Sequence, residues 1–365
     1  MKINQEQHDF YPSRLMRKLF YRFIKNFGYI TTRIFFDKLE MVGYDKIPRN
    51  YPLLFVPNHQ NSFLDAFIAG TIPKFSIHYL TRADVFNKKF LWFIEGMHMI
   101  PIYRMRDGAS NLSQNEEIFN RCVKLMQEGD DIMIFAEGNH GEEHFLRPFS
   151  KGMSRLAFSA QEAIPDKDVY IVPVGINYFN PRRPRRRVIM VFGNPIRVRD
   201  FDEEYFKSKP KALNKLKNLT WKRVADCMMI PHKDEYYEFK KAALTRENEK
   251  LPFHELKIKL ASIKSMPDKK PNLKFFKIAG LFFSLFNFLP LWYISYIIKT
   301  RIKDQVFYAS IKWGLGSVLI PIWWGFVFTI SSIICGWEIG TMLFLFQFLS
   351  LFLGQESIKM SSYRD

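Results

Sequence analysis

Leu53-Leu54-Phe55-Val56-Pro57 runs directly into Asn58-His59-Gln60-Asn61-Ser62-Phe63-Leu64-Asp65: a short apolar run, a polar turn, then a helix-start signal. The run reads as a β-strand, and Ser62 with an acidic residue three positions later reads as the opening of a helix. Asn58 and His59 therefore fall at the C-terminal end of a strand, where open α/β sheets build their sites. The same alternation continues outward. SIHYLTR from position 76, MIPIYR from 99, DIMIFAEG from 131, VYIVPVGINY from 169 and RVIMVFG from 187 are further strand candidates. Helices fit residues 62–70, 110–128 and 152–163, the last two closed by Gly129 and before Pro165. Strands alternating with helices over 47–200 predict an α/β fold, and no internal repeat is visible.

Asp65, six residues after His59, is close enough to reach back to the imidazole and hold one tautomer. A histidine aligned by a carboxylate is a general base: it takes the proton of an alcohol as that oxygen attacks a carbonyl, and the carboxylate stabilises the imidazolium. The plainer reading is a capping box with a satisfied histidine at the sheet edge. A second strand end, FAEGNHGEEHFLRPFSKG, carries Glu137 and Gly138 into a loop that brings Arg147 and Lys151 to a helix start near Gly152. Backbone N–H groups and cations there favour an anion such as a phosphate. His140, Glu143 and His144 spell H-x-x-E-H, but that zinc chemistry needs both histidines on one helix, and Gly141 in a post-strand loop argues against it. No metal site is expected.

The 365 residues suggest about two domains. With 54 Lys and Arg against 36 Asp and Glu, the net charge of +18 predicts attraction to a polyanion: nucleic acid, an anionic membrane or a phosphorylated substrate. Cys122, Cys227 and Cys335 form no C-x-x-C pair, which excludes a disulfide framework and points to a reducing compartment. A 47% hydrophobic content excludes disorder. Uncharged runs at 278–298, 313–337 and 339–355 are membrane candidates, with Trp292, Trp313, Trp323, Trp324 and Trp337 suited to headgroup depth. The last two, separated by Glu338, read as a helical hairpin. The first has basic residues on both flanks and Asn287 and Pro290 inside it, which predicts a broken, re-entrant segment. The alternative is a buried soluble helix pair. The N-terminus lacks a signal-peptide pattern, and 13–37 reads as a basic amphipathic helix, either on an anionic bilayer or packed on the domain. The expected division is a membrane-surface segment over 1–45, a catalytic domain over 46–200, a charged helical adaptor over 201–272 and membrane-embedded helices over 273–357.

NHQNSFLD resembles the N-H-x-x-x-x-D block of the glycerolipid acyltransferases, the group of glycerol-3-phosphate and lysophosphatidic acid acyltransferases. GMHMIPIYR, FAEGNHG and YIVPVGINYF are similar to three further blocks of that family in its order, over roughly 48–199. VGINYFNPRRPRRRVIMVFGNPI is similar to the fungal-type glycerol-3-phosphate and dihydroxyacetone-phosphate acyltransferases, which also carry C-terminal hydrophobic segments. The resemblance implies an acyltransferase-like sheet flanked by helices. It makes His59 the base and Asp65 its partner, has Arg104, Glu137 and Gly138 shape the glycerol-phosphate pocket, and puts Pro173 on the donor or packing side. His140 replaces the arginine usual in E-G-T-R-S, so Arg147 or Lys151 is expected to assist Arg104 with the phosphate.

The implied reaction moves an acyl group from acyl-CoA or acyl carrier protein to a hydroxyl of glycerol 3-phosphate, dihydroxyacetone phosphate or 1-acylglycerol 3-phosphate. Another lysolipid or an amine-bearing acceptor is the alternative. No cofactor is implied. The expected location is the membrane, with the site on the cytosolic face. Arg182, Arg183, Arg185, Arg186 and Arg187 lie between strand candidates rather than on a recognition helix, which disfavours nucleic acid. Lipid headgroups, coenzyme A phosphates or plain solvation remain for them. A non-catalytic scaffold would not need His59 and Asp65 at this spacing, and a transporter would need more spans.

Overall fold

In a computed structural model of the chain, residues 14–83, 91–103, 114–267 and 273–361 are described. The strands are β1 (Leu39–Val42), β2 (Leu53–Pro57), β3 (Ile77–Arg82), β4 (Met99–Ile102), β5 (Asp131–Met133), β6 (Tyr170–Tyr178), β7 (Val188–Phe192) and β8 (Ile196–Arg197). They form one sheet in the order β1-β7-β6-β2-β5-β3-β4, with β8 also paired to β6. Strands β6, β2, β5, β3 and β4 run parallel, and β7 turns antiparallel against β6. The parallel strands end on a common edge, so the residues after β2 and β5, His59 and Glu137, emerge side by side. The six strand candidates all form.

Strands β1 and β8 were not expected. β1 is only four residues long and half buried, so it has no run of core residues to mark it. It pairs parallel to β7 from Leu39↔Val188 to Val42↔Val191, which puts residues 39–42 in the sheet rather than in a surface segment.

Of the helices, α1 (Arg14–Phe35), α2 (Ser62–Gly70), α3 (Leu91–Gly96), α4 (Gln114–Gln127) and α5 (Gly152–Ala163) belong to the first half of the chain. Helix α1 leaves Met16, Leu19, Phe23, Ile30 and Ile34 exposed along one face at helical spacing, while Gly28 and Thr32 turn inward. The stretch expected as an adaptor folds into α6 (Asp202–Lys207), α7 (Lys209–Asp226), α8 (Tyr237–Ala242) and α9 (Phe253–Ala261). The stretch is helical, as its sequence predicts, and it also packs on the sheet. Ala212, Leu216, Val224 and Ala225 share one buried cluster with Leu54, Ile132 and Met153, so α7 roofs the sheet and its lysines merely face out. Gly175 on β6 permits that closeness, since a Cβ there would lie 2.1 Å from the Cys227 carbonyl oxygen.

The C-terminal part is α10 (Lys274–Ser284), α11 (Phe288–Arg301), α12 (Tyr308–Cys335) and α13 (Trp337–Ser361). Lys274–Arg301, Gln305–Cys335 and Trp337–Ser361 are long and apolar enough to cross a membrane. At 1.5 Å per residue α12 and α13 reach about 42 Å and 37 Å, beyond the roughly 30 Å of a bilayer core. Gly336, at φ 95°, makes the turn between them. Helices α10 and α11 are two arms of about 21 Å or less joined at the Leu285–Asn287 turn.

The outer ends of those arms return to the side of the sheet: the Leu273 N–H donates to the Ser361 carbonyl, and α11 leads into α12 beside α2. At the bend Asn287 is fully buried. It donates to the Gln347 carbonyl and Ser350 Oγ, and accepts from Trp324 Nε1 at 2.8 Å. A satisfied amide is what a helix break inside an apolar bundle requires.

Candidate active site

The His59 imidazole is fixed from four directions. Its Nδ1 lies 2.8 Å from Asp65 Oδ2, and its ring stacks on Phe135 at 4.0 Å between centroids. Its backbone N–H donates to Glu137 Oε1 at 2.8 Å, and its carbonyl accepts from Arg147 Nη2 at 2.6 Å. With Nδ1 engaged, Nε2 is the ring nitrogen left to a substrate. The preceding Asn58 is buried and uses its side-chain amide as a rung of the sheet, accepting from Ile176 N and donating to Ile176 O. Strand β2 thus delivers His59 to the edge with little freedom.

Asp65 is fully buried. Besides the imidazole, its Oδ2 accepts the N–H groups of Gln60 and Asn61 at 2.8 and 2.7 Å. Its Oδ1 accepts from Tyr178 Oη at 2.6 Å. Four donors on one carboxylate fix its orientation. Burial, followed by the neighbouring Asp65 charge, raises Tyr178 well above the ordinary phenol range, so the tyrosine stays a donor. Asp65 does not close a capping box with Ser62, which takes φ 45° and presents its side chain to the cavity. Tyr178 was missed in the sequence; the only signal was its place at the end of the fourth block.

Glu137 sits under His59, pushed above the usual carboxylate range by burial and opposed by Arg147, whose Nε donates to Oε2 at 2.6 Å. Arg147 also donates to the Asn139 carbonyl. Its Nε and Nη2 are thus engaged by the loop that frames His59, which makes it a brace for that loop. Gly141 makes room for it, since a Cβ there would stand 2.3 Å from Arg147 Nη1.

Gly138, at φ 67°, and Lys151 line the cavity. Arg104 lies outside the described residues. Pro173 pairs with Val56 inside the sheet.

A cavity of about 1060 Å³ opens in front of His59. Leu80, Met99, Ile102, Phe119 and Ile134 make part of it apolar, and Lys151 and Arg155 at the start of α5 add cations. Arg155, Asn115 and Phe307 were not expected at the site; Asn115 clamps Tyr103 by accepting from its N–H and donating to its carbonyl. His140 stands edge-on to His59 at 5.5 Å, and neither of its ring nitrogens has a hydrogen-bond partner among the described residues. Burial, with the nearby His59, lowers it to about 4, so it is neutral near pH 7.

The rest of H-x-x-E-H points elsewhere: Tyr237 donates to Glu143 at 2.6 Å, and His144 is buried. No group of three or more metal-ligating side chains occurs among the described residues. The arginine run is largely internal bracing. Arg182 pairs with Glu142, Arg185 with Asp37 and Glu356, and Arg187 with Glu40, while Arg186 and Arg187 are buried.

Residues 38–177 match the Acyltransferase family. Glycerol-3-phosphate O-acyltransferase 1 of Saccharomyces cerevisiae is 33% identical over 81 residues, 22% of this chain and 11% of that protein. A chloroplastic 1-acyl-sn-glycerol-3-phosphate acyltransferase of Brassica napus is 26% identical over 161 residues, 44% of each chain. The chain thus spans less than half of either relative's length. The crystal structure of the 1-acyl-sn-glycerophosphate acyltransferase of Thermotoga maritima superposes with a TM-score of 0.41 at 15% identity, covering 60% of this chain and 83% of that one. The matched span, residues 38–177, includes the sheet edge that holds His59 and Asp65, and it is similar to the Acyltransferase family and to parts of glycerol-3-phosphate and 1-acyl-sn-glycerol-3-phosphate acyltransferases.

Proposed function

We propose that the protein is a membrane-attached O-acyltransferase of phospholipid synthesis, with the thioester of acyl-CoA or acyl carrier protein as donor. Its acceptor is a hydroxyl of glycerol 3-phosphate, dihydroxyacetone phosphate or 1-acylglycerol 3-phosphate. The observation that carries this reading is the His59–Asp65 pair, 2.8 Å apart, fronting a large part-apolar cavity within an acyltransferase-family domain. His59 Nε2 takes the acceptor's proton as its oxygen attacks the thioester carbonyl, and Asp65 stabilises the imidazolium that forms. Collapse of the tetrahedral adduct expels the thiolate, which regains the proton from His59. Lys151, Arg155 and the first N–H groups of α5 hold the acceptor's anionic group. With three apolar segments in the bilayer, the site faces the membrane from the cytosolic side, where lipid substrates and products partition.

A neutral His140 where the family carries arginine, together with the bracing role of Arg147, thins the cationic lining and supports a second reading: another lysolipid or an amine-bearing acceptor. Purified protein in lipid nanodiscs, offered each acceptor with palmitoyl-CoA and with palmitoyl carrier protein, separates the two. Transfer to a glycerol phosphate supports the first. Transfer confined to a non-phosphate lysolipid supports the second, and no transfer to any acceptor refutes both.

A further inference from the structure

The segment that opens α12 lies far outside residues 38–177 and is nonetheless built into the site. Asp304 and Phe307 line the cavity beside His59. The Phe307 ring packs against Phe63 at 5.9 Å and edge-on against His140 at 5.1 Å. Three attachments hold it there. Arg182 bridges Glu142 and Gln305 Oε1, and Lys312 Nζ donates to the Arg182 carbonyl. Trp313 rests on Phe67 of α2 at 4.5 Å. Buried Ser310 accepts the Leu64 N–H and donates to the Asn61 carbonyl, both at 3.1 Å.

That last contact is unusual in its reach. Helix α2 carries Asp65, and its N-cap residue Asn61 makes no side-chain cap of its own. An N–H in the first turn is normally supplemented by a nearby side chain. The Leu64 N–H, which also donates to the Asn61 carbonyl at 3.0 Å, is shared with a hydroxyl 246 residues away.

We propose that the start of the first long membrane helix is a wall of the acceptor pocket, in which Phe307 touches the acceptor and sets its size, and Ser310 is a positioning residue for the helix that carries Asp65. The inference rests on the acyltransferase reading and adds what selects the acceptor. Phe307 narrows the cavity beside His59 and His140, so the ring is expected to favour the smaller, unacylated acceptor. Discrimination of about tenfold is the scale that one or two methylenes produce in an apolar pocket.

Full-length protein in nanodiscs tests this through kcat/KM for 1-oleoylglycerol 3-phosphate relative to glycerol 3-phosphate. Phe307→Ala is expected to raise that ratio about tenfold, while Phe307→Trp lowers it, with thermal midpoint and nanodisc incorporation unchanged. A ratio unmoved in both variants overturns the role of Phe307. Wild type inactive on every acceptor overturns the acyltransferase reading itself, and this proposal with it. As a second readout, Phe307→Cys combined with Cys335→Ser is expected to react with a maleimide and to be protected by saturating palmitoyl-CoA with glycerol 3-phosphate; the remaining cysteines, Cys122 and Cys227, are buried. Labelling unaffected by substrates contradicts contact. Ser310→Ala is expected to lower kcat with KM unchanged and Ser310→Thr to restore it; wild-type kcat in Ser310→Ala removes the positioning role.

Discussion

Asp65 is the most constrained side chain of the site, accepting from two backbone N–H groups, an imidazole and a phenol while wholly buried. The backbone donors hold its rotamer, and among the described residues Tyr178 is the donor to Oδ1. Tyr178→Phe removes that one donor and keeps the ring. A fall in kcat of about tenfold is expected, the scale of a hydrogen bond to a charged group. Lost thermal stability with wild-type kcat would make Tyr178 structural only. The proximity of His59 and Asp65 was legible because a strand end and a helix start six residues apart leave few geometries. Tyr178 and Phe307 were not, because nothing in a linear pattern says which distant strand or helix returns to that edge. Arg147 was legible as a residue of the loop but not as a brace, since only coordinates show that Glu137 and the His59 carbonyl use its donors.

At the level of elements, the long buried strands were readable from their apolar runs, whereas β1, four residues and half buried, is defined by its partner β7 rather than by its own sequence. The packing of helix α7 was hidden for the opposite reason: its lysines dominate the composition, while the residues that place it, Ala212, Leu216 and Val224, are few and apolar. The bend between α10 and α11 was readable from Asn287. Its amide satisfies groups on α12 and α13, and Gly280 lets α10 approach α13 so closely that a Cβ would meet Ile358 at 2.6 Å. Asn287→Leu strands Trp324 Nε1 and the broken turn in an apolar setting. The expected result is a loss of about 1–2 kcal/mol in the bundle's resistance to denaturant in detergent, with the arms straightening. Paired cysteine labels at the ends of α10 and α11 read this: both ends react from one side of a sealed vesicle in wild type, and an Asn287→Leu variant with unchanged stability and labelling would show that the amide network is dispensable.

For the molecule as a whole, the net charge of +18 divides into two populations. Arg182, Arg185 and Arg187 are consumed in tying the sheet to its neighbours, with Arg185 and Lys359 joining the end of α13 to Asp37 after α1. The remaining surface cations suit an anionic bilayer. The fold also carries a pH liability in His144, which is buried and lowered by that burial to about 4. Its folded form is neutral, so above the unfolded value near 6.5 it adds no pH dependence. As pH falls from 6.5 toward 4 the unfolded chain takes up the proton first, and stability is lost. Relative to wild type, His144→Leu should therefore gain about 2 kcal/mol in unfolding free energy at pH 5 compared with pH 7, read from denaturant titrations at both; an equal difference at the two pH values would mean that His144 titrates normally in the fold. The most direct test of the chemistry as a whole is acyl transfer by His59→Ala in nanodiscs. Turnover is expected to fall by about three orders of magnitude or more, the upper range for a general base, with incorporation and thermal midpoint preserved. Turnover within a fewfold of wild type would contradict a general base at His59.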